Sequence, residues 1–201
     1  MSIAQRKQEE KQEMHKRILN GARKIFLKKG YEQTSIRNIA NEISYSPGSI
    51  YFYFKDKSEI FHELHKEGFQ LLLGQLRVFD AVRDPFERLK ALGSSFMQFA
   101  KDHTDYYNLM FLVDERNRKQ GEGFQIAKEA IDYLTEVVRQ CQEKGHFKNL
   151  HTDCFTFMVL STVHGICSLF CKDHTAGFMN RTDEELMQHG YDCFVTLLER
   201  G

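Results

Sequence analysis

The residues best suited to chemistry in this chain fall in one short run. Ser46-Pro47-Gly48-Ser49-Ile50-Tyr51-Phe52-Tyr53 puts small residues and a proline ahead of hydroxyl-bearing rings, and Lys55 and Lys57 follow. Ser46 before Pro47 is a helix start: a capping hydroxyl, then a residue with fixed φ and no N–H to leave unpaired. Gly48 and Ser49 keep the first turn open, so a base edge or a phosphate can come close. Tyr51 and Tyr53 bring hydroxyls for phosphate oxygens and ring faces for thymine methyls. Lys57 falls in the first turn of the next helix, where the dipole disfavours a cation. A nearby phosphate would account for it. Together these are the side chains that nucleic-acid binding needs.

A second set is His164, Cys167, Cys171 and His174, at i, i+3, i+7 and i+10 of one helical stripe. The types suit zinc or copper. The stripe, however, spans about 15 Å at 1.5 Å per residue, too long for one tetrahedral site. The same spacing makes a dimer seam with cysteine as a small apolar residue. Thiol or metal sensing therefore stands only as an alternative, and neither cofactor nor metal is expected. The chain has no glycine-rich phosphate loop, no nucleophile elbow and no His-Glu-x-x-His, so an enzyme is not expected.

The elements that position these residues read as helices. Ile18, Ala22, Ile25 and Phe26 make one apolar face of a first helix that runs to about Lys29, with Gly30 as its stop. Thr34 and Ser35 can cap a short helix in which Ile36, Ile39, Ala40 and Ile43 lie at i, i+3, i+4 and i+7. After the break Ser44-Tyr45-Ser46, a second short helix turns Ile50 and Phe54 inward and leaves Gly48, Ser49, Tyr51 and Tyr53 outward. Two short helices joined this way are a helix-turn-helix; the same pattern also fits an ordinary helical core. Asp56 with Glu59, Asp84-Pro85 with Glu87, and Thr182 with Glu185 announce three further helix starts. Gly145 ends another helix. About nine helices and no strand predict an all-α fold.

The 201 residues carry 28 basic and 28 acidic side chains, a net charge of zero. Their distribution is uneven: residues 1–66 hold 13 basic and 8 acidic groups, net +5, and residues 67–201 hold the balance, net −5. A basic first third on an acidic remainder is expected of an anion-binding module on a larger body. Five cysteines without a Cys-x-x-Cys pair, and a polar N-terminal stretch, favour a reducing cytoplasm. Cys154 to Cys171 lacks Asp, Glu, Lys and Arg over 18 residues, the length at which a membrane span is considered. Its Thr, Ser, His and Gly content predicts instead a helix buried by other helices, and no membrane partner.

The run Thr34-Ser35-Ile36-Arg37-Asn38-Ile39-Ala40, then Ser46-x-Gly48-x-Ile50-Tyr51-x-Tyr53-Phe54-x-x-Lys57, resembles the DNA-binding signature of the tetracycline-repressor (TetR) family. The resemblance covers roughly residues 15–65. It departs at the turn, where the family's Ala-Gly-Val is Ile43-Ser44-Tyr45; Ser44 tolerates a positive φ less well than glycine, so a slightly repacked turn is expected.

The resemblance implies an N-terminal helix-turn-helix DNA-binding domain over 1–56 and a helical ligand-binding and dimerisation domain over 57–201. It implies a homodimer on a palindromic operator, with Ser35, Arg37, Ser46, Pro47, Gly48, Ser49, Tyr51, Tyr53 and Lys57 at the DNA. Within that set Ser35, Tyr53 and Lys57 would hold phosphates, and Pro47, Gly48, Ser49 and Tyr51 would lie nearest the bases. The implied dimer interface draws on Leu160, Val163, Cys167, Phe170, Phe194 and Leu197. An aromatic, sulfur-rich interior that includes Phe99, Tyr107, Met110, Phe111, Phe157 and His164 would suit a small hydrophobic or aromatic ligand. The expected function is a transcriptional repressor released by such a ligand; the alternative is a DNA-bound scaffold that answers to a protein partner.

Overall fold

The computed structural model describes residues 2–113, 122–172, 174–178 and 181–200, with the side chains of 122–124 left aside. Among these residues there are nine α-helices and no strand, as the punctuation predicts. They are α1 (Ile3–Lys29), α2 (Ile36–Glu42), α3 (Pro47–Tyr51), α4 (Lys57–Arg77), α5 (Pro85–Asp102), α6 (Thr104–Tyr107), α7 (Glu122–Lys144), α8 (Thr152–Cys171) and α9 (Asp183–Glu199). A 3₁₀ turn (Val78–Ala81) follows α4, and a π-helical turn (Asn108–Leu112) follows α6.

Local chemistry sets the boundaries. Gly30 closes α1 at φ 77°, a conformation open to glycine, and its N–H donates to the Phe26 carbonyl. Ser35 caps α2 by accepting from the Asn38 N–H, and Ser46 caps α3 by accepting from the Ser49 N–H, with Pro47 in its first turn. Asp56 accepts from the Glu59 N–H at the start of α4. Asp84 accepts from the N–H groups of Phe86 and Glu87. Thr182 and Glu185 make a reciprocal capping box at α9. Gly145, at φ 106°, follows α7.

The chain packs as two units. The first comprises Met1–Phe69 and Asp105–Gln125. Its core is Ile18, Leu19, Ala22 and Phe26 from α1, Ile36, Ile39 and Ala40 from α2, Ile50 and Phe54, Ile60, Phe61 and Leu64 from α4, and Leu109. Ile18, Ala22, Phe26, Ile36, Ile39, Ala40, Ile50 and Phe54 are inward positions expected from the spacing, while Ile43 is only partly buried; α2 and α3 are held by burial rather than by intrinsic helicity, since neither is long enough to be stable alone. At the α1–α2 crossing, a Cβ on Gly21 would lie 2.4 Å from Ile43 Cγ2, so any side chain there forces Ile43 or a helix to shift.

The second unit comprises Gln70–Thr104 and Ile126–Gly201. Here α8 packs on α5 and on α9. Phe86, Leu89, Phe96 and Phe99 of α5, Val137, Val138 and Cys141 of α7, Phe155, Val159, Val163 and Cys167 of α8, and Met187, Tyr191 and Leu198 of α9 are buried. The expectation that α8 is buried by other helices needs correction. One side of α8 packs inside the chain, whereas Phe157, Met158 and Leu169 stand exposed. The helix is long and apolar enough to cross a membrane by length and composition alone, and one side of it packs on α5 and α9.

Candidate functional site

The helix-turn-helix is built from α2, the Ile43–Ser46 connection and α3. Ser44 takes φ 59°, a left-handed conformation that favours glycine, so the chain makes the tight turn with a residue that strains there. The Tyr45 N–H donates to the Ala40 carbonyl at 2.9 Å. The Tyr45 ring is exposed, its hydroxyl accepts from Arg17 Nη1 at 3.2 Å, and the guanidinium carbon lies 5.8 Å from the ring centre. The bulky turn residue is thus steadied from α1.

Buried Ile50 in α3 and buried Phe54, three residues past its end, fix the roll of the helix. What remains outward is Pro47, Gly48, Tyr51 (59% exposed) and Phe52 (76% exposed), with Ser49 and Tyr53 half-buried. The Ser46 and Ser49 hydroxyls pair at 2.9 Å across the first turn. Ser35 and Arg37 are exposed at the start of α2, where the Ser35 hydroxyl donates to Asn38 Oδ1 at 2.9 Å. Of the expected DNA residues other than Lys57, Ser35, Arg37, Ser46, Pro47, Gly48 and Tyr51 are exposed and Ser49 and Tyr53 half-buried, all on α2, α3 and the residues that flank them. Phe52 joins them, although the sequence pattern does not single it out. A large apolar ring this exposed, one position past Tyr51, has the chemistry to meet thymine methyls or sugars. Its signal in the sequence is an aromatic left over once the inward positions are assigned.

Lys57 is placed differently from the expectation. Its Nζ donates to three backbone carbonyls, Tyr31 at 2.8 Å, Thr34 at 3.1 Å and Glu32 at 3.3 Å, and lies 4.3 Å from the centre of the Tyr31 ring. An ammonium has three N–H donors, and all three face the loop between α1 and α2. The cation in the first turn of α4 is explained by those carbonyls.

The residues expected at a ligand divide. Tyr107, Met110 and Phe111 fall in the first unit and Phe99, Phe157 and His164 in the second. Phe99, Tyr107 and Met110 are buried, Phe111 half-buried. Phe157 is 70% exposed on the outer side of α8 and lines no interior, because its neighbours Phe155, Thr156 and Val159 take the inward positions. His164 is half-buried with its ring 6.5 Å from that of Phe96, and burial lowers its pKa, disfavouring the charged imidazolium.

Of the residues expected between protomers, Leu197 is 68% exposed and Leu160, Phe170 and Phe194 are half-buried, but Val163 and Cys167 are buried against the chain's own helices. The outward apolar side of α8 is instead Phe157, Met158 and Leu169. Beside it an open groove of about 900 Å³ runs between α8 and α9, lined by Phe155, Met158, Ile166, Cys193, Phe194 and Leu197 among others.

Burial pushes the Cys167 thiol up to about 12, with Cys171 adding to it, so it stays protonated and unreactive at neutral pH. Among the described residues no group of three or more His, Cys, Asp or Glu side chains is gathered to hold a metal ion.

Comparison with known proteins agrees with this geometry. Residues 18–64 match the family described as bacterial regulatory proteins, tetR family, and residues 89–194 match the tetracyclin repressor-like C-terminal domain. Among curated relatives, the HTH-type transcriptional regulator AcrR of Shigella flexneri is 37% identical over 62 residues, which is 31% of this chain and 29% of that regulator's length. Among solved structures, the TetR-family regulator PfmR of Thermus thermophilus has a TM-score of 0.73 at 23% identity over 92% of this chain and 97% of that one. FadR of Bacillus subtilis, solved in complex with stearoyl-CoA, has a TM-score of 0.70 at 17% identity over 89% of this chain and 96% of that one. With both of its parts matched and the second match alone covering more than half of its length, this chain belongs to the TetR family of DNA-binding transcriptional regulators, which are not enzymes.

Proposed function

We propose that this chain is a repressor that binds a palindromic operator as a homodimer in the cytoplasm and is released by a small, largely apolar ligand. The observation that carries the DNA part is α3: a capped helix whose Gly48, Tyr51 and Phe52 are exposed while Ile50 and Phe54 lock its roll. Residues 1–56 supply that reader, and residues 57–201 the ligand-binding and dimerising body. The exposed Phe157, Met158, Leu169 and Leu197 form an apolar surface of the kind that a second copy covers. The stearoyl-CoA held by the Bacillus subtilis neighbour supports an elongated apolar ligand, as does an interior rich in Phe and Met.

Ligand and DNA then oppose each other through one coupling free energy, so each must weaken the other by the same factor. The test is fluorescence anisotropy on a labelled operator duplex, titrated with stearoyl-CoA and with shorter acyl-CoA esters. Release at stoichiometric ester, with equal weakening of ester binding by operator, is expected. An operator affinity unchanged at saturating ester, with ester bound, would overturn the ligand part and leave the DNA part standing. A thiol-sensing reading finds no support in the buried, protonated Cys167.

A further inference from the structure

Helix α1 begins long before the core does. Its first buried residue is Ile18, yet the helix starts at Ile3, and residues 2–13 are all exposed. A polar helix of this length is marginal alone in water; the Ser2/Gln5 capping box and the Arg6–Glu10 and Arg17–Glu13 pairs support it. The charges are sorted by face. Lys7, Lys11 and His15 lie at i, i+4 and i+8, one stripe, with Ala4 and Gln8 beside it. The three acids of this stretch, Glu9, Glu10 and Glu13, fall off the stripe at about 100° per residue, and Arg6 and Arg17 pair with two of them. Among the described residues Lys7 and Lys11 have no ion-pair or hydrogen-bond partner.

The stripe also has a fixed address. His15 stacks on Phe54 with ring centres 4.7 Å apart, and its Nε2 lies 3.2 Å from Glu63 Oε1. Phe54 follows Tyr53 and precedes exposed Lys55, three residues past the end of α3. One turn out from His15 comes Lys11, about 6 Å along the axis, and one more turn out Lys7, about 12 Å. The Lys7–Lys11 stripe therefore runs outward from His15, which meets Glu63 and Phe54 at the edge of the helix-turn-helix.

We propose that the Lys7–Lys11 face of α1 binds the phosphate backbone of duplex DNA just outside the half-site that α3 reads. The inference rests on the proposed function, since the flank is reached only when α3 is docked. Charge complementarity selects the occupant: two unpartnered ammonium groups one turn apart, with the Gln8 amide beside them and the neighbouring Glu10 already paired with Arg6, suit a polyanion rather than an acidic or mixed protein surface. The contact adds affinity without sequence preference.

The test compares two duplexes that carry the operator obtained by selection from random DNA. One ends at the palindrome's edges; the other adds about ten base pairs on each side, one helical turn. Wild-type protein is expected to bind the longer duplex about tenfold tighter in low salt, with a salt slope steeper by about one for each lysine engaged. Lys7→Gln with Lys11→Gln should abolish the advantage of length and leave the short duplex unaffected, and Lys7→Arg with Lys11→Arg should keep it. Far-UV circular dichroism checks that α1 stays helical. The proposal is overturned if wild type gains nothing from the flanks, if the glutamine pair keeps the gain, or if that pair weakens both duplexes alike. If wild type cannot hold even the short duplex, the reading of α3 fails as well; loss of the flank effect alone removes only this inference.

Discussion

The Lys57 ammonium donates to the Tyr31 carbonyl at 2.8 Å while lying 4.3 Å from the centre of the Tyr31 ring, which ties the start of α4 to the end of α1. Two further carbonyls, those of Glu32 and Thr34, complete the clasp. Ser35, the cap of α2, is the next residue. Lys57 thus sets the entry to the helix-turn-helix from inside the protein.

Replacing Lys57 by Met should therefore destabilise the fold by about 1–3 kcal/mol, the cost of leaving part-buried acceptors without a charged donor. A simple phosphate contact would be kept by arginine. The clasp would not, because a planar fork cannot converge three donors on carbonyls set around one point. Thermal unfolding of Lys57→Met and Lys57→Arg without DNA is the check: both should melt below wild type. Equal melting temperatures for all three would show that the clasp contributes nothing.

Ser44 at φ 59° carries a strain that glycine does not. Ser44→Gly is expected to stabilise the protein by about 0.5–1 kcal/mol, since relief of the left-handed penalty exceeds the added freedom of the unfolded chain. The salt dependence of its operator binding should match wild type. Chemical denaturation at constant m-value measures the gain.

The α1–α2 crossing has no room at Gly21. Gly21→Ala puts a methyl against Ile43 Cγ2, 2.4 Å away before relaxation, and should cost about 1–3 kcal/mol as overpacking. In the double variant with Ile43→Ala the clash disappears. A double-mutant cycle should return a favourable coupling of at least about 1 kcal/mol; simple additivity would mean that the helices shift apart freely.

Asp84 caps α5, and the N–H of Glu87 holds its carboxyl below the usual carboxylate range. A depressed pKa contributes stability above the unfolded value that is lost as pH falls through the folded one. Asparagine caps without titrating. The stability of wild type relative to Asp84→Asn should accordingly rise between acid and neutral pH; a difference independent of pH would contradict the cap's ionic part.

Much of the fold is legible in the sequence because its signals are local. Ser46-Pro47, Asp84-Pro85 and Thr182 with Glu185 each state a helix start within four residues, and Ile36, Ile39, Ile50 and Phe54 state which side turns inward. Lys57 reads as a phosphate ligand because its acceptors lie more than twenty residues earlier and only the folded turn brings them to it. Val163, Cys167 and Phe157 are misplaced by their spacing for another reason. A helix apolar on every side carries no moment to tell its own core from a partner's, so only packing on α5 and α9 shows that Val163 and Cys167 turn in and Phe157 out. Phe52 escapes notice because a large apolar ring reads as core until the core is seen to be full.

The central claim is that the exposed face of α3 reads DNA sequence. Selection of bound duplexes from a random pool, by wild type and by Tyr51→Ala and Phe52→Ala, tests it most directly. Wild type should enrich one palindrome with half-sites about one helical turn apart. Each variant should blur the same position in both half-sites, at a cost of about 1–3 kcal/mol on the best sequence. Enrichment of no sequence by ligand-free wild type, or an identical palindrome of undiminished affinity from both variants, would contradict it.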